Sequence, residues 1–300
     1  MNKRNAFASH IAWLALLSTF CLFADSPALA SQPVKFKQLN HFVIVPVFIN
    51  GTGPLDFIFD TGASSTVIDQ ELVKRLGLTA LEATNVSTVS GSKVVPRYRL
   101  DSLAVGPRSV KNLTALSTEM RQIHSIDSRI RGILGQNFLS GFNYILNYRD
   151  RRIEFEESDE SVKRLVGVRL PVERDRGRVL IAAKTSSTQK TTPRMVIDSG
   201  ASSVVIFSDS PQDSGFDLEM GNDRFIHVDT VAGSRMLRAG LVRRLQIGEE
   251  VFEKLPARLV QGSTVAEGRL ETGLLPAKLF RAIYFNNSQN YVILNPRFVE

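Results

Sequence analysis

Two carboxylates occupy the same local frame in this 300-residue chain. One ends the apolar run Phe57-Ile58-Phe59-Asp60 and is followed by Thr61-Gly62-Ala63-Ser64-Ser65-Thr66-Val67-Ile68. The other ends Met195-Val196-Ile197-Asp198 and is followed by Ser199-Gly200-Ala201-Ser202-Ser203-Val204-Val205-Ile206. Average composition yields a lone Asp-(Thr/Ser)-Gly in about one chain in ten of this size, so a single copy would carry little weight. Two copies with matched flanks are a different matter. Gly62 and Gly200 permit a tight turn and a close approach to a partner. Two such turns face to face would bring Asp60 and Asp198 together, and carboxylates that close hold one proton between them. Such a pair titrates as a unit. Its ionised member draws a proton from water while its protonated member donates to a carbonyl oxygen, which is hydrolysis without a metal or a covalent intermediate. The hydroxyls of Thr61 and Ser199 are placed to serve as structural hydrogen-bond donors where the turns meet.

The elements that must hold these turns are themselves repeated. Thr88-Val89-Ser90-Gly91-Ser92-Lys93 follows the first string, and Thr230-Val231-Ala232-Gly233-Ser234-Arg235 follows the second. The register holds through Leu103-Ala104-Val105-Gly106 against Leu245-Gln246-Ile247-Gly248. Gly132-Ile133-Leu134-Gly135 then faces Gly273-Leu274-Leu275-Pro276. Each half closes with two apolar strands about a polar turn, over residues 144–155 and 284–294.

Between these landmarks the first half predicts strands over 41–50 and 55–60, joined by a turn at Gly51-Thr52-Gly53-Pro54. Helical spacing follows over 69–78, with Leu72, Val73 and Leu76 on one face and Gly77 near the end. A hairpin over 87–105 turns about Ser90-Gly91-Ser92, and residues 136–140 suit a single helical turn. The second half predicts strands over 179–184, 194–198 and 251–259, with a hairpin about Ala232-Gly233-Ser234. It departs from the first over 208–221, a polar stretch with Pro211 and Gly215 that reads as loop. Residues 156–164 are charged and lack an apolar period, and they read as the link between halves.

The first 30 residues stand apart. Lys3 and Arg4 precede an uncharged apolar run over 11–24, and Ala28-Leu29-Ala30 supplies a small-x-small cleavage pattern. This predicts a signal peptide cut after Ala30 and an exported protein, periplasmic or secreted. The alternative is anchoring by an uncleaved N-terminal segment, although the run falls short of the roughly 20 residues that span a bilayer. The residues before Cys21, the only cysteine, lack the small residue of a lipoprotein signal. The mature chain then has no cysteine, hence no disulfide or thiol chemistry. The predicted organisation is a signal peptide over 1–30, a first lobe over 31–160 and a second over 161–300.

The net charge of +7 comes from scattered basic residues. Several alternate along strand-like segments, which places them on a solvated face and not in a nucleic-acid groove. His41, His124 and His227 are far apart, with no Cys or Glu at ligand spacing, so no metal site is predicted. Ser64 and Ser202 lack the closing glycine of a nucleophile elbow. Asp56, Asp69 and Asp229 could contact a substrate backbone, or act as a helix cap and exposed strand charges.

Together these strings resemble the aspartic peptidases, and within them the retropepsin-like family, in an exported bacterial form whose duplicated halves share one chain. The resemblance spans residues 42–294. It implies an all-β fold of two closed β-barrel lobes with short helices, the aspartates meeting at the lobe interface. It also implies hairpin flaps over the substrate with tips at Gly91 and Gly233, a peptide or protein substrate, no cofactor, and a monomer that pairs its lobes internally. Thr61, Gly62, Ser199 and Gly200 would support the catalytic turns. Two positions depart from the pattern. Ala63 and Ala201 stand where pepsins usually carry Ser or Thr, and Pro276 takes the place of Gly135. The sequence thus supports an aspartic endopeptidase that activates water between Asp60 and Asp198. The alternative is a peptide-binding protein of the same fold with weak or no hydrolysis.

Overall fold

A computed structural model describes residues 32–88, 91–156, 165–186, 192–230, 233–261 and 270–298. Residues 1–31, which include the expected signal peptide and its cleavage site, lie outside them, as do residues 157–164 of the expected link. Among the described residues no helix is long and apolar enough to cross a membrane.

Alternating apolar residues set the strands. In Phe42–Ile49 the side chains of Val43, Val45, Val47 and Ile49 are fully buried, because a period of two sends them to one face. This strand pairs antiparallel with Thr52–Phe59, which pairs parallel with Ile130–Leu134. The series continues through Val67–Asp69, Arg108–Thr118 and Gly91–Val105. Gly91–Val105 then returns to the first strand at Phe48↔Ala104 and Ile49↔Leu103, so the pairings form a ring. The second half repeats the order with Arg178–Ala182, Arg194–Asp198, Gly273–Pro276, Val204–Phe207, Glu250–Val260 and Gly233–Ile247. Its last pairing is made by Lys184–Thr185, just past the first strand of the set.

A six-stranded sheet joins the halves. The hairpin Tyr144–Asn147 and Arg152–Phe155 from one half lies beside Ala282–Asn286 and Tyr291–Leu294 from the other, with Val34–Lys35 and Arg169–Pro171 at the edges. The central pairing is antiparallel, from Tyr144↔Phe285 to Asn147↔Ala282. Tyr144 stacks on Phe285 at 4.9 Å and meets Phe59 edge-on at 5.6 Å. One apolar cluster runs through both halves and this sheet.

The helix of the first half spans Gln70–Leu76. Asp69 precedes it with extended backbone, Leu72 and Val73 are buried, and Gly77 ends it in the left-handed conformation at φ 57. The turn before Thr52–Phe59 is tighter than the predicted one, made by Asn50 and Gly51 at φ 49 and 78. The stretch over 208–221 is not all loop. A 3-10 turn at Gln212–Ser214 ends at Gly215, and the strand Leu218–Thr230 follows. Phe216, Leu218 and Met220 alternate with polar residues there and pack on the core, a short period of two hidden by the polar residues before it. The hairpin of the first half is likewise longer than predicted, opening at Thr79.

Phe285 is fully buried at the central pairing. Phe285→Ala is expected to cost about 3–5 kcal/mol, read as a lowered midpoint in urea. Val94→Ala, at a position 62% exposed, should stay within about 0.5 kcal/mol of wild type.

Candidate active site

Each aspartate stands at the end of a buried strand. Asp60 follows Thr52–Phe59, and its N–H donates to the Leu134 carbonyl at 3.0 Å. Asp198 ends Arg194–Asp198. The chain turns at once in both places because the next residues bond to the aspartate itself. Gly62 and Ala63 donate their backbone N–H groups to Asp60 Oδ1 at 2.8 and 3.1 Å. Gly200 does the same to Asp198 Oδ1 at 2.7 Å.

The two turns are locked together by their hydroxyls. Thr61 Oγ1 donates to the Ile197 carbonyl at 2.7 Å and accepts from the Ser199 N–H at 3.0 Å. Ser199 Oγ donates to the Phe59 carbonyl at 2.7 Å and accepts from the Thr61 N–H at 3.0 Å. Both residues are buried. Each hydroxyl therefore caps the strand end of the opposite half, where backbone groups would otherwise lack partners.

The glycines make room for the carboxylates. A Cβ on Gly62 would lie 2.4 Å from Asp198 Cγ, and one on Gly200 would lie 2.8 Å from Asp60 Oδ2. Each aspartate thus rests against the glycine of the other turn, and the two side chains hydrogen-bond to one another. Burial raises the Asp60 pKa, opposed by the N–H groups of Gly62 and Ala63 and by the contact with Asp198. Burial raises that of Asp198 well above the usual range, and the negative charge of Asp60 adds to it. Asp198 is buried and Asp60 is partly exposed. Both carboxyls are thus raised by burial, and the pair holds one shared proton and titrates as a unit. The phenol of Tyr148 is raised by its own burial and by both carboxylates, so it is neutral beside them.

The halves differ in what supports each turn. In the first, a Cβ on Gly135 would lie 2.5 Å from the Ser65 backbone. The N–H groups of Gln136 and Asn137 donate to the carbonyls of Ala63 and Ser64 at 2.8 and 3.2 Å. In the second, Pro276 is level with Asp198 in parallel register, buried, with φ −59, a value its ring fits. Among the described residues no backbone hydrogen bond runs from 276–278 to 200–203.

Sequence reasoning did not single out Gln136, whose Nε2 donates to the Thr61 carbonyl at 2.9 Å. Nor did it single out Asn137, whose Oδ1 accepts from Thr66 N and Oγ1, both at 2.8 Å. Their place directly after Ile133-Leu134-Gly135 was the available signal. His41 was weighed only as a metal ligand, and the structure sets it beside Gly200.

Gly91 and Gly233 each open the returning strand of a hairpin, paired with Thr88 and Thr230. The turns themselves, at 89–90 and 231–232, lie outside the described residues. Asp69 is buried away from the pair, with His124 Nε2 at 3.6 Å and Arg131 at 3.8 Å. Asp56 pairs with Lys37 at 3.2 Å. The side chain of Asp229 is outside the described residues. Among the described residues no cluster of three or more His, Cys, Asp or Glu could hold a metal ion.

A family model described as Aspartyl protease matches residues 45–138 and, a second time, residues 182–277. The chain belongs to the aspartyl protease family. Each match begins in the first ring strand of its half and ends just past the strand beside its aspartate, so the family unit is the half and this aspartyl protease holds two. The chain is similar to the crystal structure of a retropepsin-like aspartic protease from Rickettsia conorii. The identity is 19%, over 42% of this chain and 88% of that one, with a TM-score of 0.31. A comparison with curated proteins returned no significant match.

Two outcomes are expected of this aspartyl protease. Thr61→Val leaves the Ile197 carbonyl and the Ser199 N–H without partners in a buried site, at a cost of about 2–5 kcal/mol, measurable by denaturant titration. The second concerns pH. Burial favours the neutral acid, so the folded pair keeps its proton to higher pH than the unfolded chain. The pair's contribution to stability is therefore full at low pH and is lost as pH rises through its raised titration. Asp198→Asn should flatten that decline, read as the thermal midpoint between about pH 4 and pH 8. An equal or steeper decline in the Asn variant would contradict the raised titration of the pair.

Proposed function

We propose that the chain is an exported aspartic endopeptidase that hydrolyses peptide bonds in a cleft above Asp60 and Asp198. The observation that carries this reading is the contact of the two carboxylates, each held by backbone N–H groups and pressed against the glycine of the other turn. Such a pair has one base and one acid within reach of a single water. Asp60, charged and partly exposed, takes the proton of the attacking water. Asp198, kept neutral by burial, donates to the scissile carbonyl oxygen as the tetrahedral carbon forms. The proton then returns through the pair to the leaving nitrogen, and no covalent intermediate arises.

The test is turnover of a peptide library, with cleavage sites mapped by mass spectrometry. Asp60→Asn and Asp198→Asn should each lower kcat/KM by about a thousandfold or more, and the double variant should be little worse, since the groups act as a unit. Activity retained in Asp198→Asn would end the two-half reading.

Ala63 and Ala201 offer no hydroxyl to the outer carboxylate oxygens. A hydroxyl there would favour the charged form and lower the pKa. The rate should therefore peak at mildly acidic pH, roughly 4.5–6.5, and replacing both alanines with Ser should move the bell to lower pH. An unchanged or raised profile would overturn the hydroxyl argument.

The second reading is a peptide-binding protein with little turnover. It is favoured by Pro276 and by the absence, among the described residues, of the two backbone bonds that steady the first turn. Peptides that bind with no product would support it.

A further inference from the structure

Gln136 is buried, with 1% of its surface exposed. A buried amide is costly unless it is bonded, and the other half does without one. Gln136 stands one place after Gly135, and its match one place after Pro276 is Ala277, which is fully buried. Gln136 Nε2 donates to the Thr61 carbonyl at 2.9 Å, and the Gln136 backbone N–H donates to the Ala63 carbonyl at 2.8 Å. One residue thus holds the first catalytic turn at two points. Room for its side chain comes from the second half, since a Cβ on Gly177 would lie 3.0 Å from Gln136 Cβ. Gly177 is itself braced there. Arg174 donates to the Gly177 carbonyl at 3.0 Å, and to Oδ1 of Asn287 and of Asn290 at 2.6 and 2.7 Å.

The Thr61 carbonyl and the Gly62 N–H are the two ends of one planar peptide unit, and they point in opposite directions. The Gly62 N–H donates to Asp60 Oδ1 at 2.8 Å. A donor on the carbonyl therefore acts on the bond at the far side. It fixes the plane, so the N–H stays aimed at the carboxylate, and it polarises the unit, so the N–H is a stronger donor. Every polar group of Thr61 is then committed, its N–H and hydroxyl to the other half and its carbonyl to Gln136. Ser199 matches it in the first two. Among the described residues no hydrogen bond reaches the Ser199 carbonyl, and Ala277 has no side-chain donor to offer. The Gly200 N–H donates to Asp198 at 2.7 Å from a peptide unit that lacks this second bond.

We propose that Gln136 is a positioning residue, which acts through the Thr61–Gly62 peptide to steady the ionised pair on the Asp60 side, as Ala277 cannot on the other. The effect on rate rests on the hydrolytic pair proposed above, while the effect on the pair's titration stands by itself. A hydrogen bond to the charged form favours that form. Gln136 therefore lets the pair lose its first proton, and begin to work, at lower pH. The titratable groups around the pair are its own two members, the Tyr148 phenol, which is neutral, and His41 on the Gly200 side. Around Gln136 they are the Tyr144 phenol, raised by burial and so neutral, and the turn that bears Arg174, Asp175, Arg176 and Arg178. In that turn Arg178 pairs with Asp175 and with Glu271.

The experiment compares the wild-type chain with Gln136→Met, which keeps the length of the side chain and removes the donor. The pair's titration is read without substrate, from the NMR shifts of the aspartate carboxyl carbons, assigned with Asp60→Asn and Asp198→Asn. The first proton of the pair should come off at higher pH in Gln136→Met. On a peptide that is cleaved, kcat should fall about five- to tenfold, the effect of one neutral hydrogen bond. KM should change by less than about twofold, since the bond is not made to substrate, and the acid limb of the pH profile should move up. A packing defect alone would lower the midpoint in urea and leave the titration in place. Gln136→Glu keeps the shape and, as a neutral acid, the donor. Its kcat should stay within about twofold of wild type at the acid end of the profile and fall as that acid ionises, which decides the matter alone if Gln136→Met does not fold. An unmoved titration in Gln136→Met, or a Gln136→Glu rate lowered equally at every pH, would overturn the inference. A titration that moves in a chain without turnover supports the inference and ends the hydrolytic reading. Turnover with an unmoved titration does the reverse. An unmoved titration in a chain without turnover overturns both.

Discussion

The exchange of hydroxyl bonds between Thr61 and Ser199 is the constraint on which the site depends. Two buried carboxylates repel when both are charged, so the bond between Asp60 and Asp198 lasts only while they share a proton and cannot alone hold their strands together. The hydroxyls do it instead, each bonding two backbone groups of the opposite half. A buried donor or acceptor without a partner costs about 1–3 kcal/mol, so the set is made as a whole or lost as a whole. Gly62 and Gly200 then decide how close the halves come, since any side chain there would occupy the space of the other aspartate.

The rings and the shared sheet turn that local lock into a stable position. Each aspartate ends a strand whose neighbour in the ring is parallel, Ile130–Leu134 in one half and Gly273–Pro276 in the other. A parallel neighbour brings its own following segment to the level of the turn, and this is why Gly135 and Pro276 both abut it. From there the halves diverge. The first segment spends its amides on the turn, while the second places a buried proline there and sends a lysine outward. The uneven support of the two turns has this structural origin.

Much of this was legible in the sequence because it is written in residues that have few other uses. Asp-(Thr/Ser)-Gly after an apolar run, twice, fixed both the repeat and the two turns. The alternation of buried residues gave the strands of the rings, and Gly77 gave the end of the helix. The hairpin strand Thr79–Thr88 was harder to read because it carries no apolar period, and Leu218–Thr230 because its short alternation, Leu218 and Met220 after Phe216, follows a polar run. Gln136 and Asn137 were missed because their role depends on the backbone of a turn far off in the chain. His41 was missed for a stronger reason. Its partner is a backbone group of the other half, which no local pattern of side chains can report.

The central pairing of Tyr144–Asn147 with Ala282–Asn286 joins strands of a single chain. Where halves of this kind reside on separate molecules, the number of assembled sites falls with dilution, because each must find its mate from solution. Here the mate is tethered, and its effective concentration is set by the length of chain between the halves and not by the amount of protein present. Closing the site becomes a step in folding with no encounter to wait for. A tethered mate also need not be a copy, so each half is free to acquire substitutions that a symmetric pair would have to carry twice.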